Sequence, residues 1–575
     1  MKLIPIFTTL ALAGATSAAT CTAGLNYCAD TLAPLDSNNN DAMRQAITAY
    51  GDSDNAIRMW TWDIYVFHCN NDHSLTVAER PSVSPLWLLI VVSWSSAQVL
   101  APANDILSPS TPTNQNPLQY AGGNSPYFAG PNVFGIDSSV PDKCSVQQAA
   151  YVVRHGSRFP DSGSYESWVG IKEKIQAAVN STGFEARGSL AFIPEWTPVL
   201  TNPSLQMSQE SMTGWKEATD LGYQLRARYP HFYEDGTPFY AWANAYQYPL
   251  NESRVVQTAR AFVNGYLYEY ADTYGTVVSV NSTGSVSAIG NSLGPSDMCP
   301  AFSSISSGGN NVTDFDATWT PKALERINSL VSGNLTFDES DILFFPYMCG
   351  YESQITGRLS PWCGVFTEDE LRNYAYSQDL SYYYKVGPGS VGPAKVLFLP
   401  FLNSLMDLLS KGPGQVGTDA DGGNFTVPNL IMAFLNDNQI AEMTAAMGIF
   451  DDEPSLPIDR LPAHHLYDVA NWITMRGTVA FEVLSCEVES RRRMNDKTYV
   501  RILFNDAVYP IAHCQNGPGR SCLLADYMSL LGKRTKAAGS FDEYCNVTVA
   551  DAPNPVAGAS FFTDLSLDFL TFVKP

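Results

Sequence analysis

Apolar positions along this chain change their spacing several times, and each change predicts an element. Residues 149–153 form an unbroken apolar run that ends at a charged turn, the pattern of a buried strand. Trp168, Ile171, Ile175 and Val179 then recur at helical spacing. Val255, Ala259, Phe262 and Tyr266 make a second stripe, with Asn251 or Ser253 able to cap its start. Residues 427–435 read as another strand, followed by a helical stripe of Ile440, Met443 and Met447 that Gly448 closes. Both ends of the region from 141 onward alternate short β-rich runs with amphipathic helices. The middle, about 165–425, is turn-rich with scattered helical stripes. This order predicts an α/β domain, a sheet flanked by helices, with a mainly helical insertion across that middle.

The front of the chain has a different character. Residues 1–19 carry one lysine, an apolar stretch and the small residues Ser17, Ala18 and Ala19, which predicts a cleavable secretory signal. Residues 20–80 hold Cys21, Cys28 and Cys69 and read as a separate small unit or a gene-model fusion. A second signal-like apolar run lies within 81–103, too short to span a bilayer; a core helix is the alternative. Residues 104–140 are rich in Pro, Asn, Ser and Gly and read as linker. Residues 141–575 then form one body without internal repeats.

Composition narrows the function. The 575 residues are 45% hydrophobic, enough for a large core, and 57 acidic against 34 basic side chains give a net charge of -23. Nucleic acid is therefore excluded as a natural partner. A surface this acidic repels anions least at low pH, which favours acidic working conditions. Sequons at Asn180, Asn251, Asn281, Asn311, Asn334, Asn424 and Asn546 become glycosylation candidates on a secreted chain. The 11 cysteines imply disulfides plus one odd thiol.

The sharpest feature is Arg154-His155-Gly156-Ser157-Arg158-Phe159-Pro160, directly after the first predicted strand, where open α/β sheets place ligands. Phosphoryl transfer needs a nucleophile in line with the leaving oxygen and cations around the equatorial oxygens, and an Arg-His-x-x-Arg cluster supplies both. A solvated basic turn is the bland alternative. The motif resembles the nucleophile motif of the histidine acid phosphatases, the family that includes fungal phytases. The likeness extends over about 144–545, through Met348-Cys349, Leu359-Ser360-Pro361-Trp362-Cys363, Phe366-Thr367, residues 382–389 and the stretch 499–545.

That resemblance implies a phosphoglycerate-mutase-like α/β domain and a secreted phosphomonoester hydrolase with no cofactor, phytate being one candidate substrate. It makes His155 the nucleophile that becomes phosphohistidine, with Arg154, Arg158 and Arg254 as phosphate clamps. Asp437 becomes the proton donor. Here the chain departs from the family, since Asn436-Asp437 stands where His-Asp is expected and a neutral amide replaces a phosphate-binding imidazole. On the residues alone, Arg254 could be a solvated arginine and Asp437 a helix N-cap. The resemblance also implies disulfides Cys144 with Cys486, Cys299 with Cys545, Cys349 with Cys363, and Cys514 with Cys522.

Two rival readings follow. Gly290-Asn291-Ser292-Leu293-Gly294 fits the pattern of a serine esterase nucleophile, although its polar surroundings lack the strand and helix of a nucleophile elbow. A phosphate-ester-binding protein with little turnover is the other, on the strength of Asn436. No metal site is expected: His464 and His465 are adjacent rather than spaced as ligands and read as a surface loop, and Cys21 and Cys28 favour disulfide over metal. The expected partner is a small phosphomonoester, with no stable membrane span, and nothing in the pattern specifies an oligomeric state.

Overall fold

A computed structural model of the chain describes residues 21–23, 26–28, 39–50, 66–79, 116–245, 253–303, 310–490 and 493–575. The two signal-like runs lie outside them. The chain divides into two compact units, 1–94 and 95–575. The small unit has β1 (Asn26–Cys28), α1 (Asn39–Ala49), β2 (Val66–Cys69) and β3 (Leu75–Glu79), with strand order β1-β2-β3. Met43, Ile47, Phe67 and Leu75 form its core, and a Cys21–Cys69 disulfide closes it.

The large unit is built on a nine-stranded sheet. In chain order its main elements are β4 (Cys144–Arg154), α2 (Ser162–Val179), α3 (Met212–Arg228), β5 (Phe239–Asn244), α4 (Arg254–Leu267) and β6 (Gly275–Val280). Then come the helices α5 (Asn311–Asn328), α6 (Glu339–Thr356), α7 (Glu368–Lys385) and α8 (Leu399–Ser410). The chain returns to the sheet with β7 (Leu430–Leu435), followed by α9 (Asp437–Met447), and then β8 (Thr478–Ser490) and β9 (Arg493–Phe504). It ends with β10 (Ala507–Val508), β11 (Cys522–Leu523), α10 (Leu524–Ala538) and β12 (Leu570–Val573). The strand order is β10-β9-β8-β4-β7-β5-β6-β12, with β11 pairing β9.

Strands β4, β7, β5 and β6 run parallel, and β8 and β12 flank them antiparallel. The parallel strands are covered on both faces, which is why 149–153 lacks polar alternation. Successive residues go to opposite cores: Ala150 and Val152 to one, Ala149, Tyr151 and Val153 to the other. Leu221 and Leu225 of α3 and Val255, Ala259 and Phe262 of α4 seal the second face. The first face packs α2 through Trp168, Ile171 and Ile175, and α9 through Ile440, Met443 and Met447. An Asp161 cap starts α2, and Gly448, left-handed at φ 84°, ends α9.

Two expectations need correction. The segment 165–425 is not a single helical insertion, because β5 and β6 lie inside it and belong to the main sheet, with α3 and α4 packed on them. The helices from α5 to α7 pack on one another and share a continuous apolar core with the first face of the sheet, and Cys349–Cys363 ties α6 to the turn before α7. The described part of the expected linker, 116–140, is no spacer either. Leu118, Ala121 and Ser125 are buried in it, and Gly130 N donates to Asn505 O. Its Gly, Asn and Ser residues make close turns against the body, so their composition imitates a linker.

The remaining bridges join Cys144 to Cys486, Cys299 to Cys545 and Cys514 to Cys522. Among the described residues, no helix is long and apolar enough to cross a membrane. Asn180, Asn334, Asn424 and Asn546 are exposed, Asn281 and Asn311 are half-buried, and Asn251 lies outside the described residues.

Candidate active site

Strand register brings the site together. In the parallel pair of β4 and β7, Arg154 stands beside Leu435, so the next residues, His155 and Asn436, leave the sheet side by side. His155 is pinned from both neighbours: its N–H donates to Leu435 O at 3.0 Å, and its carbonyl accepts from Arg476 N at 2.8 Å. The ring is 1% exposed. Its Nδ1 lies 2.9 Å from Gly156 O, and a carbonyl only accepts, so Nδ1 carries the proton and Nε2 the lone pair.

The loop behind the ring is fixed by buried side chains. Gly156 N donates to Thr258 Oγ1 of α4, one helical turn after Arg254. Ser157 N and Oγ both donate to Glu217 of α3, which also accepts from Tyr127 N. Only glycine fits at 156, because a Cβ there would lie 2.3 Å from Glu210 Oε1 and 2.9 Å from the Gly214 backbone.

Three guanidinium groups surround the ring. Arg154 is 2% exposed; its Nη1 donates to Ile473 O at 2.6 Å and to Gly123 O, and its Nη2 lies 3.3 Å from Asp437 Oδ2. Arg158 donates to Phe159 O at 2.9 Å, and its guanidinium lies 5.4 Å from the Tyr351 ring centroid. The Nε atoms of Arg154 and Arg158 are buried without a hydrogen-bond acceptor, orphaned donors that an anion would satisfy. Arg254 opens α4 after the Ser253 cap, and its Nη2 donates to Asn436 Oδ1 at 3.2 Å. A cation in a helix's first turn opposes the dipole, which suits a place beside an anion.

Burial first, then the charges of Arg254, Arg154 and Arg158, push the His155 pKa well below 6.5. Its imidazole is therefore neutral even in mild acid. For Asp437, burial works upward, but Arg154, the Tyr382 hydroxyl and Arg158 outweigh it and hold the carboxyl below the usual range. Asn436, rather than Asp437, is the N-cap of α9, with its N–H donating to Gln439 Oε1 at 3.1 Å. Capping is thus not the task of Asp437, whose side chain is 27% exposed.

The site therefore gathers His155, Arg154, Arg158, Arg254, Asn436 and Asp437, all named from the sequence. Tyr382, Gly123, Thr258 and Glu217 complete it without having been assigned a role there; they act through hydrogen bonds from distant segments, which leave no local pattern. Ser292 stands elsewhere, 1% exposed in a loop between 3-10 turns, with no strand leading into it. His464 is exposed, whereas His465 is half-buried with Nε2 2.8 Å from Asp379 Oδ2, a correction to the surface-loop reading. Among the described residues, the His, Cys and acid group close enough to share an ion is Cys21, Cys69 and His73 in the small unit, where both sulfurs are already joined.

Residues 145–505 match the model of the histidine phosphatase superfamily, branch 2. The chain belongs to that family. Among curated relatives of this histidine phosphatase, acid phosphatase PHO1 of Komagataella pastoris is 29% identical over 465 residues, covering 79% of this chain and 92% of that protein. Phytase PHO112 of Candida albicans is 27% identical, covering 75% of this chain and 87% of its own. Among solved structures, the phytase from D. castellii superposes with a TM-score of 0.65 at 25% identity, over 80% of this chain and 94% of that one. The fold is accordingly the α/β fold of the histidine acid phosphatases and phytases, a central sheet flanked by helices.

Proposed function

We propose that this phosphoric monoester hydrolase works through a phosphohistidine on His155. In the first step the Nε2 lone pair attacks phosphorus, the N–P bond forms and the ester P–O bond breaks. Asp437 gives its proton to the departing alkoxide. In the second step water attacks phosphorus, the N–P bond breaks, the water proton returns to Asp437 and inorganic phosphate leaves. Arg154, Arg158 and Arg254 offset the phosphoryl charge throughout.

The observation that carries this reading is a neutral, buried imidazole with its lone pair on Nε2, set among three guanidinium groups and beside one carboxyl group. The arginines that hold Asp437 ionised are the same groups that a phosphate engages. A bound dianion therefore offsets their effect and lets Asp437 hold a proton in acid. The N-terminal signal pattern, the sequons and the five disulfides support a secreted protein, and the net charge of -23 supports acidic working conditions.

A second reading, ester binding with little turnover, rests on Asn436, whose amide brings no charge and whose Oδ1 is engaged by Arg254. One experiment separates the two. Rapid alkaline quench of a reaction with a radiolabelled aryl phosphate at about pH 5 should trap a base-stable, acid-labile phosphoprotein, and His155→Ala should lose the label and at least about 10³-fold in kcat. Tight binding of the ester without label or release of phosphate would favour the second reading. Comparing phosphate release from phytate and from a simple aryl phosphate then fixes substrate breadth.

A further inference from the structure

A carboxylic acid that donates a proton must hold it on the oxygen that meets the leaving group, and the two oxygens of Asp437 have different surroundings. Oδ2 accepts from the Tyr382 hydroxyl at 2.7 Å and faces Arg154 Nη2 at 3.3 Å. Oδ1 receives no hydrogen bond from any described residue, and the side chain opens to the cleft on 27% of its surface. Two donors on one oxygen occupy its lone pairs and stabilise negative charge there. A proton placed on Oδ2 would have to displace one of them.

We propose that Tyr382 is a positioning residue that keeps the proton of Asp437 on Oδ1 and stabilises the carboxylate left on Oδ2 after transfer, a role that rests on Asp437 being the acid. Tyr382 comes from α7, so a helix distant in sequence from both strands reaches Asp437 through one hydroxyl. Three features hold that hydroxyl in place. The Tyr382 carbonyl accepts from Val386 N and Gly387 N, which anchors the end of α7. Gly123 lies against the ring edge, where a Cβ would stand 2.9 Å from the hydroxyl oxygen. The carbonyl of Gly123 meanwhile holds Arg154, the other donor to Oδ2.

Burial and the neighbouring Asp437 keep the Tyr382 pKa well above 10, so it remains a donor throughout the working range. The charged and titratable groups around the pair come from several elements: Arg154 and His155 at the end of β4, Arg158 in the loop after it, and Tyr351 of α6. The orientation makes Asp437 a stronger acid, because the conjugate base keeps two hydrogen bonds. Its benefit is largest for leaving groups that need the proton most.

The test measures kcat across pH for a series of phosphate esters, from nitrophenyl to simple alkyl, in the wild type, Asp437→Asn and Tyr382→Phe. Asp437→Asn should lose about 10² to 10⁴-fold on alkyl esters and far less on nitrophenyl. Tyr382→Phe should follow the same selectivity at smaller size, about tenfold on alkyl esters. Its alkaline limb should also move to higher pH, because losing a donor to the carboxylate raises the Asp437 pKa. Replacing Tyr382 by 3-fluorotyrosine, a stronger donor of the same shape, should move the limb the other way. If Asp437→Asn is selective but Tyr382→Phe slows all esters equally and leaves the limb in place, Tyr382 is only packing and the inference falls. If Asp437→Asn itself loses equally on all esters, the acid assignment falls with it.

Discussion

The two sides of the cleft are built differently although both grow from the ends of adjacent parallel strands. On the nucleophile side, residues 154–158 are contiguous, and nearly every polar group of the loop has a buried partner: Leu435, Arg476, Thr258, Glu217 and Ile473. On the acid side, Asp437 is part-exposed and takes its orientation from Arg154 and from Tyr382, which lies 55 residues away in sequence. On the proposed mechanism the atom attacking phosphorus is placed by a rigid frame, whereas proton delivery depends on a few long-range bonds. Change should therefore be least tolerated on the first side.

The largest effect should come from disturbing the rigid side. Gly156→Ala introduces a Cβ 2.3 Å from Glu210 Oε1, so the loop must shift. A misplaced nucleophile should cost more than about 10²-fold in kcat, and overpacking about 1 to 3 kcal/mol in stability, read by steady-state kinetics and urea unfolding. Wild-type kinetics in that variant would erase the contrast. A smaller effect is expected on the other side. Asn436→His adds a titrating cation next to Arg254, and should lower KM for an aryl phosphate about fivefold near pH 5, fading above about pH 7. The wild type should show no such step from this position.

The smallest effect is on stability against pH, where the two kinds of buried group act in opposite directions. His155, held neutral below its ordinary pKa, leaves the unfolded chain binding more protons in acid, so its contribution is lost as pH falls below about 6.5. Buried carboxyls do the reverse. Burial raises Asp297 to about 6 and Glu352 to about 7, and their contribution is full below about pH 4 and lost as pH rises through those values. Several such acids outnumber the two histidines, His155 and His465, that burial holds below their ordinary value. Melting temperature should thus be a few degrees higher near pH 5 than near pH 7.5, and Glu352→Gln should flatten the difference.

How far the sequence foretold this follows from the same contrast. The nucleophile loop was legible because its chemistry is contiguous and its strand is a plain apolar run. Arg254 and Asp437 were found through resemblance, since spacing alone cannot show that Arg154 pairs with Leu435 and so brings β4 and β7 together. The cysteine partners came from the same source. Strands β5 and β6 were absorbed into an expected insertion, because six-residue runs bounded by turns give no period long enough to separate strand from helix. The expected linker 104–140 follows from composition alone, whereas the contribution of its described part to the site lies in backbone atoms that every residue possesses. Asn436 took the cap that Asp437 could have held, because α9 starts one residue earlier than such a cap requires.

The carbonyl of Gly123 has one more consequence. It is the first point from the amino end at which the described chain touches the reacting groups, through Arg154. Loss of the chain through Gly123 would take one of two backbone acceptors from a buried guanidinium and remove the backbone that packs against the Tyr382 hydroxyl.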